Sequence, residues 1–338
     1  MIKLSFIIPA YNCEKTIKKC VDSILEFKLK DIEIIIVNDG SVDNTERVIK
    51  DNYDNINYVK YFYKTNEGQG VARNFGIKKA SGKYVTFIDS DDYYLKDVFN
   101  DVFKYLSDDK YDLLVFNITK KYKDKFINNI FSKSLVEFDK LNFEILEGII
   151  ISRGKYLGLD ASTCNKIYKR EIILDNNLFF TSERIVASED ALFNFNFFAN
   201  INHGLIIPKT VYVYVMNDMS FTHTYQSNLF DKAVNMKNEL VSISENYKLY
   251  RNNDIVSSIL FFKYFLLVKN CINHEFIYNR GLMINNILNN CNLKKFDNNR
   301  FESYFSLKDK ILFKLILKKR LLFVKLFCFF KQRKRGLR

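Results

Sequence analysis

Three carboxylates fall within four residues directly after an apolar run in the stretch KYVTFIDSDDYY. Asp89, Asp91 and Asp92 follow the run, and an extended backbone would turn Asp89 and Asp91 to the same side, toward one cation. Carboxylates crowded in this way resist joint ionisation unless a cation or a basic group lies between them. The pattern predicts a metal-binding pair, and the alternative is a solvated turn that caps a helix beginning near Leu95.

The elements that must position these acids alternate between strand and helix. Apolar runs at 4–8, 32–37, 59–63 and 83–88 predict strands, and apolar residues at helical spacing separate them. This alternation indicates an α/β fold with a mostly parallel sheet and helices on both faces, whose ligands bind at the carboxyl ends of the strands. Because four loops would meet at that edge, a metal-binding pair at Asp89 and Asp91 is favoured over a solvated helix-capping turn. The four loops are Pro9 to Asn12, Asp39, Asn66 to Arg73 and Asp89 to Asp92.

A dinucleotide-binding loop is the competing interpretation of Gly68 to Arg73, which begins like the G-x-G-x-x-G fingerprint. Asp39 would then end the second strand as a ribose ligand. Arg73 occupies the third glycine position, however, and the loop follows the third strand, whereas the fingerprint follows the first. The sequence therefore disfavours a nicotinamide or flavin enzyme.

A second pair of acids, Glu189 and Asp190, opens a predicted helix that Ser188 is placed to cap. Acids in a first helical turn interact favourably with the helix dipole, by a few tenths of a kcal/mol to about 1 kcal/mol. From these residues alone, the dipole interpretation is the simpler one. Between the two acidic segments, residues 119–160 show weak periodicity, and no element is predicted for most of that region.

Composition predicts one large domain or two tightly joined ones, because 338 residues with 48% hydrophobic content can bury a sizeable core. Two prolines and 11 glycines argue against long flexible linkers. The six cysteines show no Cys-x-x-Cys spacing, which argues against zinc ribbons and a disulfide framework and favours reduced thiols in the cytoplasm. The first stretch, MIKLSFIIPAYN, predicts a buried strand and not a signal peptide.

The net charge of +13 is compatible with nucleic acid, an anionic membrane or an anionic substrate, and its placement discriminates between them. Lys and Arg are concentrated between Lys308 and Arg338, interleaved with Leu, Phe, Ile and Val. The apolar runs there are too short to span a bilayer, but Lys314, Lys318 and Lys325 are predicted to share a helical face opposite a Leu and Phe surface. We expect this tail to lie on the anionic inner face of the cell membrane, and we expect no nucleic-acid partner.

Five segments follow one another in the chain and together cover roughly Lys3 to Thr222. They are SFIIPAYNCEKTIKKCVDSIL, EIIIVNDGSVDNT, NEGQGVARNFGIKKASGKYVTFIDSDDYY, CNKIYKRE and SEDALFNFNFF. In this order they resemble the family 2 glycosyltransferases, inverting enzymes with a Rossmann-like GT-A fold that use nucleotide-diphosphate sugars. The resemblance implies a GT-A domain at residues 1–225, followed by a helical region at 226–305 and the basic tail at 306–338.

The resemblance also implies roles for individual residues. Asp190, with Glu189 as its neighbour, corresponds to the catalytic base, and Asp91, with Asp89 or Asp92, corresponds to the ligands of Mn²⁺ or Mg²⁺. Many relatives place a His or Arg near the position of Asn217, so His223 is the candidate here for a third protein ligand. The implied nucleotide-sugar pocket comprises Pro9, Ala10, Tyr11, Asn12, Glu14, Asp39, Asn66, Gly70, Arg73, Asp89 and Ser90.

These roles describe a single displacement in which a hydroxyl loses its proton to a carboxylate as it attacks the anomeric carbon, with inversion. The resemblance implies a UDP-sugar donor and a saccharide or lipid-linked acceptor, in cell-surface polysaccharide or oligosaccharide assembly. A nucleotidyltransferase is the alternative enzyme, but PAYNCEK has no glycine for its phosphate loop. A noncatalytic scaffold of the same fold would be favoured if Asp91 or Asp190 were replaced, and both are present.

Overall fold

The chain forms two compact units in a computed structural model. The first unit comprises Met1–Arg184 and Ser188–Ser220, and the second comprises Ile185–Ala187 and Phe221–Arg338. The structure describes residues 2–107, 109–151, 161–216, 226–248, 253–279, 281–293 and 303–333.

Ten strands of the described residues form one sheet in the first unit, in the order β3-β2-β1-β4-β9-β6-β10-β5. In addition, β7 pairs with β6 and β8 pairs with β10. The neighbours β3, β2, β1 and β4 are parallel, as are β6 and β10, whereas β9 lies antiparallel between β4 and β6. The strands are β1 Leu4–Ala10, β2 Ile32–Asp39, β3 Val59–Lys64, β4 Tyr84–Phe87, β5 Tyr93–Tyr94, β6 Leu113–Tyr122, β7 Lys125–Asn129, β8 Val136–Phe138, β9 Lys166–Lys169 and β10 Gly204–Val215.

Helices connect these strands in the first unit and make up the second unit. The predicted mixed α/β fold with a mostly parallel sheet and C-terminal helices is confirmed. The helices of the first unit are α1 Ile17–Leu25, α2 Thr45–Tyr53, α3 Gln69–Lys79, α4 Lys96–Phe103, α5 Phe143–Ile151, α6 Arg170–Asp175 and α7 Glu189–Phe198. Those of the second unit are α8 Leu229–Asn246, α9 Asp254–Tyr278, α10 Ile284–Asn290, α11 Leu307–Leu317 and α12 Leu321–Arg333.

The central strands are mostly apolar, as expected for a sheet that helices cover on both faces. Every residue of β1 and β2 is buried. Helix α3 packs closely on β1 at Gly76, where a Cβ atom would lie 2.4 Å from Cγ2 of Ile7. This close packing fixes α3 relative to the carboxyl ends of the strands, where its first turn begins.

The basic tail departs from the prediction of one amphipathic helix. Helix α11 ends at Leu317, and α12 begins at Leu321 after a turn in which Lys319 has a positive φ of 49°. Lys314, Lys318 and Lys325 therefore do not share one helical face, and that prediction was wrong. A positive φ at a lysine is set by packing around the turn and has no signature in hydrophobic periodicity.

Helix α9 is the one described helix that is long and apolar enough to cross a membrane. In this structure 61% of its apolar window is buried inside the second unit, as in the core helix of a helical domain. The six cysteines are all buried and form no disulfide, in agreement with the thiols predicted from their spacing.

Glu33 is a buried acid that fastens β2 to its neighbours. It lies opposite Ser5 in the register of β1 and β2, and its Oε1 accepts hydrogen bonds from the Ser5 hydroxyl at 2.6 Å and from the Ser81 amide at 2.6 Å. Its Oε2 accepts from Lys60 Nζ at 2.6 Å. Burial raises the pKa of Glu33, but the hydrogen bonds from Lys60, Ser5 and Ser81 outweigh burial and lower the pKa to about 2.

Glu33 is therefore expected to stabilise the fold above its unfolded pKa of 4.5 and to lose that contribution as the pH falls toward 2. The shift corresponds to roughly 3 kcal/mol at neutral pH. Glu33→Gln should lower the free energy of unfolding at pH 7 and flatten its dependence on pH between 4.5 and 2, as measured by urea denaturation. The control is Glu46→Gln, which removes the same charge from an exposed pair with Lys50. Equal pH slopes for wild type and Glu33→Gln would contradict the prediction.

Candidate functional site

Five charged residues of the first unit lie together at the carboxyl ends of β1, β2 and β4. Asp39 ends β2, Asp89 follows β4, and Arg73 reaches this edge from the second turn of α3. Glu189 and Asp190 open α7 at the same edge. The sheet thus brings together acids from segments that are up to 151 residues apart in the chain, from Asp39 to Asp190.

Arg73 is the centre of the cluster. Its guanidinium donates from Nη2 to Asp89 Oδ1 at 2.9 Å and from Nη1 to Asp190 Oδ1 at 2.9 Å. Nη1 also lies 3.5 Å from Glu189 Oε1, and the guanidinium carbon lies 5.3 Å from the centre of the Phe180 ring. Only 2% of the side chain is exposed, so these carboxylates replace the water that a guanidinium normally requires.

The charges of this cluster shift one another's ionisation. Burial by itself lowers the pKa of Arg73, but Asp190 and Asp89 outweigh burial and raise the pKa well above its ordinary value. Burial, with the charge of Asp190, raises the pKa of Glu189 to about 7. Burial also raises the pKa of Asp190, although Arg73 opposes the shift. An acid with a raised pKa is a stronger proton acceptor once it is ionised, which suits a general base.

Asp190 is held by more than the arginine. Its Oδ2 accepts from the backbone N–H of Thr163 at 3.2 Å, and its Oδ1 accepts from the Thr163 hydroxyl at 3.3 Å. Ser188 stands at the N-cap of α7, but its side chain makes no capping hydrogen bond. An acid that only complements a helix dipole needs no such partners. Thr163 was missed as a site residue, although it lies one residue before the segment CNKIYKRE.

Asp89 is oriented by two donors from α3. Its Oδ1 accepts from Gln69 Nε2 at 2.6 Å and from Arg73, while its Oδ2 accepts no hydrogen bond from the described residues. The chain turns after Ile88, because the N–H of Asp92 donates to the carbonyl of Asp89 at 3.0 Å, with Ser90 and Asp91 at the tip of the turn. The extended backbone that was expected past Ile88 is therefore not present.

The carboxylate of Asp92 is bonded to β10. Its Oδ2 accepts from the Tyr212 hydroxyl at 2.5 Å and its Oδ1 from the Val215 N–H at 2.7 Å, which ties the turn to β10. Burial, with the charges of Asp89 and Asp91, raises the pKa of Asp92 well above its usual range. The residue is 1% exposed, and its place among the metal ligands remains a prediction.

Oδ2 of Asp89 and the partly exposed carboxylate of Asp91 are the oxygens that could hold a cation here. Among the described residues no group of three or more His, Cys, Asp and Glu side chains could hold a metal ion. Mg²⁺ is commonly bound by one or two carboxylates together with substrate phosphates, so this pair fits a cation that arrives with a phosphate ligand. His223, the predicted third ligand, lies outside the described residues, as does Asn217.

Asp39 organises the loop that follows β3. Its Oδ1 accepts from Lys64 Nζ at 2.6 Å and from the Glu67 N–H at 3.1 Å, and its Oδ2 accepts from the Gly68 N–H at 2.8 Å. The residue is 2% exposed. Its carboxylate thus shapes the start of α3, and contact with a nucleotide remains a prediction.

The loop after β1 is tied to the loop after β2. Asn12, with a positive φ of 48°, accepts from the Val42 N–H at 2.9 Å, and Glu14 accepts from the Asn44 N–H at 3.0 Å. The predicted pocket residues Asn12 and Glu14 thus use their side chains within the scaffold. Tyr11, half exposed, presents its ring at this edge, whereas Pro9 and Ala10 are buried at the end of β1.

Asn66 and Gly70 contact a segment that the sequence analysis did not single out. Asn66 accepts from Arg184 through both its carbonyl and its side-chain oxygen, and the N–H of Gly70 donates to Glu183 at 3.1 Å. Glu183 and Arg184 lie more than 110 residues away in sequence, and no local pattern marks them. Gln69 was equally missed, although the quoted segment NEGQGVAR contains it.

Comparison with known proteins gives one family. The model of the family described as "Glycosyl transferase family 2" matches residues 5–175. The glycosyltransferase GlyA of Streptococcus pneumoniae is 27% identical over 246 residues, which are 72% of this chain and 35% of GlyA. The chain thus spans about a third of the length of that relative.

Solved structures share the fold. TarS of Staphylococcus aureus, residues 1–349 in complex with UDP-GlcNAc, gives a TM-score of 0.70 at 23% identity and covers 99% of this chain and 92% of its own. A mannosyltransferase from Pyrobaculum calidifontis in complex with GDP-Man and Mn²⁺ gives a TM-score of 0.51 at 13% identity, over 97% of this chain and 85% of its own. At these identities the likeness shows the fold alone.

Replacing Arg73 is expected to leave three partly buried carboxylates, those of Asp89, Glu189 and Asp190, without their counter-charge. Arg73→Met should lower the free energy of unfolding at pH 7 by about 3–5 kcal/mol, the cost of removing one partner from a buried ionic cluster. The loss for Arg73→Lys should lie between zero and that for Arg73→Met. Lysine keeps the charge, but one ammonium cannot bond both Asp89 and Asp190 as the two terminal nitrogens of the guanidinium do. The loss should shrink as the pH falls and the acids protonate, which urea denaturation at several pH values would measure. A change below about 1 kcal/mol for Arg73→Met would contradict this role.

Proposed function

The chain belongs to glycosyl transferase family 2, and from this premise we propose that it moves a sugar from a nucleotide-diphosphate donor to a hydroxyl group, with inversion. The observation that carries the proposal is the single guanidinium of Arg73, which joins Asp89 on one side to Asp190 on the other. The two carboxylates fit the two tasks of the reaction, which are to hold the departing diphosphate and to accept the proton of the attacking hydroxyl.

The donor we propose is a UDP-sugar. The TarS structures hold UDP-GlcNAc and UDP in a fold that this chain shares over nearly its whole length. In this chain, Tyr11 and the loop ordered by Asp39 form the edge at which a nucleobase and ribose would bind. The sugar would be a hexose or an N-acetylhexosamine, and the acceptor a saccharide or lipid-linked molecule of cell-surface polysaccharide or oligosaccharide assembly.

We assign Asp89 and Asp91 to a divalent cation, Mn²⁺ or Mg²⁺. When bound, such a cation supplies Lewis-acid neutralisation of the charge that develops on the departing diphosphate. The protein's part is to hold Asp89, whose Oδ1 is bonded to Gln69 and Arg73, with its Oδ2 left for the cation. Asp92, whose oxygens are bonded to Tyr212 and Val215, would anchor the turn.

Asp190 is the proposed base. As the acceptor oxygen bonds to the anomeric carbon and the bond to the diphosphate oxygen breaks, the hydroxyl proton would pass to a carboxylate oxygen of Asp190. Arg73 and Thr163 hold that carboxylate in place, and they stabilise its ionised form before the proton arrives. Glu189 also contacts the guanidinium of Arg73, at 3.5 Å, and its charge would change the basicity of Asp190.

The function and the base are tested together with a panel of UDP- and GDP-sugars. On the donor that wild type turns over, Asp190→Asn should lower the transfer rate by ~10² to 10⁴-fold, because a base is lost while its shape is kept. Donor affinity should stay near that of wild type, as titration calorimetry would show. The melting temperature should fall, because the buried Arg73 loses one of its counter-charges, so the rates are compared at a temperature where both proteins are folded.

Glu189→Gln is the matched control, because it removes one charge at the neighbouring position. We expect a smaller loss of rate. We also expect the dependence of kcat/KM on pH to change, because burial and the charge of Asp190 raise the pKa of Glu189 to about 7 and the glutamine does not titrate. An Asp190→Asn enzyme within a few-fold of wild type would end the base assignment. Turnover of no nucleotide sugar by wild type would end the function proposed.

Removing the charge of Asp91 should abolish metal-dependent donor binding. Asp91→Asn keeps the shape but weakens the hold on a hard cation, so Mn²⁺ should no longer tighten the binding of UDP. Titration calorimetry with and without Mn²⁺ measures this, and Asp124→Asn, at an exposed turn between β6 and β7, is the control. If Asp91→Asn binds UDP as tightly as wild type does, and with the same dependence on Mn²⁺, the metal assignment is wrong. Residues 89–92 would then be interpreted as a turn that caps a helix.

A surface of α12 supports our proposal that the chain works at the inner face of the cell membrane. Its residues Leu322, Phe323, Leu326, Phe329 and Phe330 are 42–67% exposed and recur at helical spacing on one face, opposite the buried Val324 and Cys328. We call these five residues the α12 face.

An anionic lipid surface is the partner that this face fits. Five cations flank or interrupt this face in sequence, so its surroundings carry positive charge. Lys318, Lys319 and Arg320 precede it, Lys325 interrupts it, and Lys331 follows it. Large apolar side chains with flanking cations lie in the interface of an anionic bilayer, where each cation near the surface adds about 1 kcal/mol. A lipid-linked acceptor would be reached from the same position.

Polar substitution of the α12 face is expected to release the chain from membranes. Phe323→Ser, Leu326→Ser and Phe330→Ser in one protein should lose sedimentation with vesicles of phosphatidylglycerol and phosphatidylcholine, and added salt should weaken wild-type binding. The control is Leu307→Ser, which changes an apolar side chain 77% exposed on α11. Vesicle binding equal to that of wild type, or wild-type binding to neutral vesicles alone, would contradict the proposal.

A further inference from the structure

Residues 180–184, which we call the strap, run along the first two turns of α3. Glu183 accepts the N–H of Gln69 on Oε1 at 2.9 Å and the N–H of Gly70 on Oε2 at 3.1 Å. These are the first two residues of α3, so one carboxylate satisfies two of the N–H groups that a helix start leaves open. Its negative charge also complements the helix dipole.

The loop before α3 is shaped for this contact. Gly68 has a φ of 105°, and a Cβ atom there would lie 2.1 Å from Glu183 Oε1. A Cβ atom on Gly70 would lie 3.3 Å from Cβ of Phe180. Both glycines thus let the strap approach the helix, and the first of them cannot be replaced without displacing the carboxylate.

The strap is held at both of its ends. Arg184 donates to the carbonyl and side-chain oxygens of Asn66. At the other end, the side chain of Asn74 exchanges two hydrogen bonds with the backbone of Phe180, each 2.8 Å long. The ring of Phe180 stacks on Phe193 of α7 with centroids 4.0 Å apart. The strap therefore links α3 to the helix that carries Asp190.

The anchored turn bears both donors to Asp89. Gln69 gives its backbone N–H to Glu183 and its side-chain amide to Asp89, and Arg73 follows one turn later. We propose that Glu183 is a positioning residue that fixes the first turn of α3, so that Gln69 and Arg73 hold Asp89 with its Oδ2 toward the cation of the donor. This inference rests on the proposed function. It also means that the N–H groups of Gln69 and Gly70 serve the protein's own carboxylate and not the diphosphate.

The first arm of the test needs no ligand. In Glu183→Ala, amide exchange at Gln69 and Gly70, followed by NMR, should accelerate about tenfold or more, as expected for loss of a hydrogen bond to a charged acceptor. Glu183→Gln keeps one acceptor oxygen, so its exchange rates should lie between those of wild type and Glu183→Ala. It also replaces the alanine variant in the test if that variant does not fold. Glu171→Gln, an exposed acid in the first turn of α6, is the control for a general helix-dipole effect.

The second arm measures the consequence at the metal. The Mn²⁺ concentration for half-maximal tightening of UDP binding should rise about tenfold in Glu183→Gln, while UDP binding without Mn²⁺ stays unchanged. Gly68→Ala should have a similar effect by displacing the carboxylate, and Glu183→Ala added to Gly68→Ala should cost little more, because both remove one contact.

Failure of this inference is distinguishable from failure of the proposed function. If wild type binds neither UDP nor GDP, with or without Mn²⁺, the proposed function falls, and the positioning role falls with it. If wild type binds UDP with Mn²⁺ but the variants keep its metal dependence, Glu183 is a helix cap only and the inference is overturned. Unchanged amide exchange in both Glu183 variants overturns it as well.

Discussion

The buried guanidinium of Arg73 is the interaction on which the site depends. A charge with 2% of its surface exposed is destabilising unless acceptors replace its water, and Asp89, Asp190 and Glu189 are those acceptors. Asp89 comes from the turn after β4, Glu189 and Asp190 come from the first turn of α7, and Arg73 comes from α3, so none of these three elements can shift without uncovering a charge. The Nε of Arg73 is buried and has no acceptor among the described residues, a cost that native proteins accept mainly where function requires it.

The sheet makes this cluster possible. Because β1, β2 and β4 are parallel neighbours, their carboxyl ends meet, and the segments that follow them supply Asp39 and Asp89 within reach of α3. The strap then adds a second level of control, since Glu183 and Asn74 hold α3 along the turns that carry Gln69 and Arg73. Glu183 and Asn74 therefore position α3 through backbone contacts, and Arg73 on α3 in turn positions the carboxylates of Asp89 and Asp190.

The parallel part of the sheet could be predicted because strands buried on both faces are mostly apolar, as β1, β2 and β4 are. The fourth run became β3, an edge strand that is only partly buried. The antiparallel β9 between β4 and β6 could not, because it contains Lys166, whose ammonium is buried and bonded to the carbonyl of Ser162 at 2.5 Å. The hydrogen bonds of Asp92 to β10 could not be predicted either, because they depend on the turn after Ile88 and on Tyr212, which lies 120 residues away.

Long-range contacts explain the rest of what the sequence concealed. Thr163 and Glu183 act on residues 27 and more than 110 positions away, and neither stands in a pattern that periodicity detects. For Asp190, the residues alone favoured a helix-dipole acid, and only the family resemblance pointed to a base. The structure adds the physical reason to expect more than a dipole effect, since Arg73 and Thr163 both hold its carboxylate.

The central claim is that the cation and the donor diphosphate meet beside Asp89 and Asp91, across Arg73 from Asp190. Anomalous diffraction from a crystal of the chain grown with UDP and Mn²⁺ would locate the metal directly. The account predicts one strong anomalous peak about 2.1 Å from carboxylate oxygens of Asp89 and Asp91, with Arg73 still bonded to Asp190. A peak coordinated by Asp92 or in the second unit, or UDP bound away from the carboxyl ends of β1, β2 and β4, would contradict it.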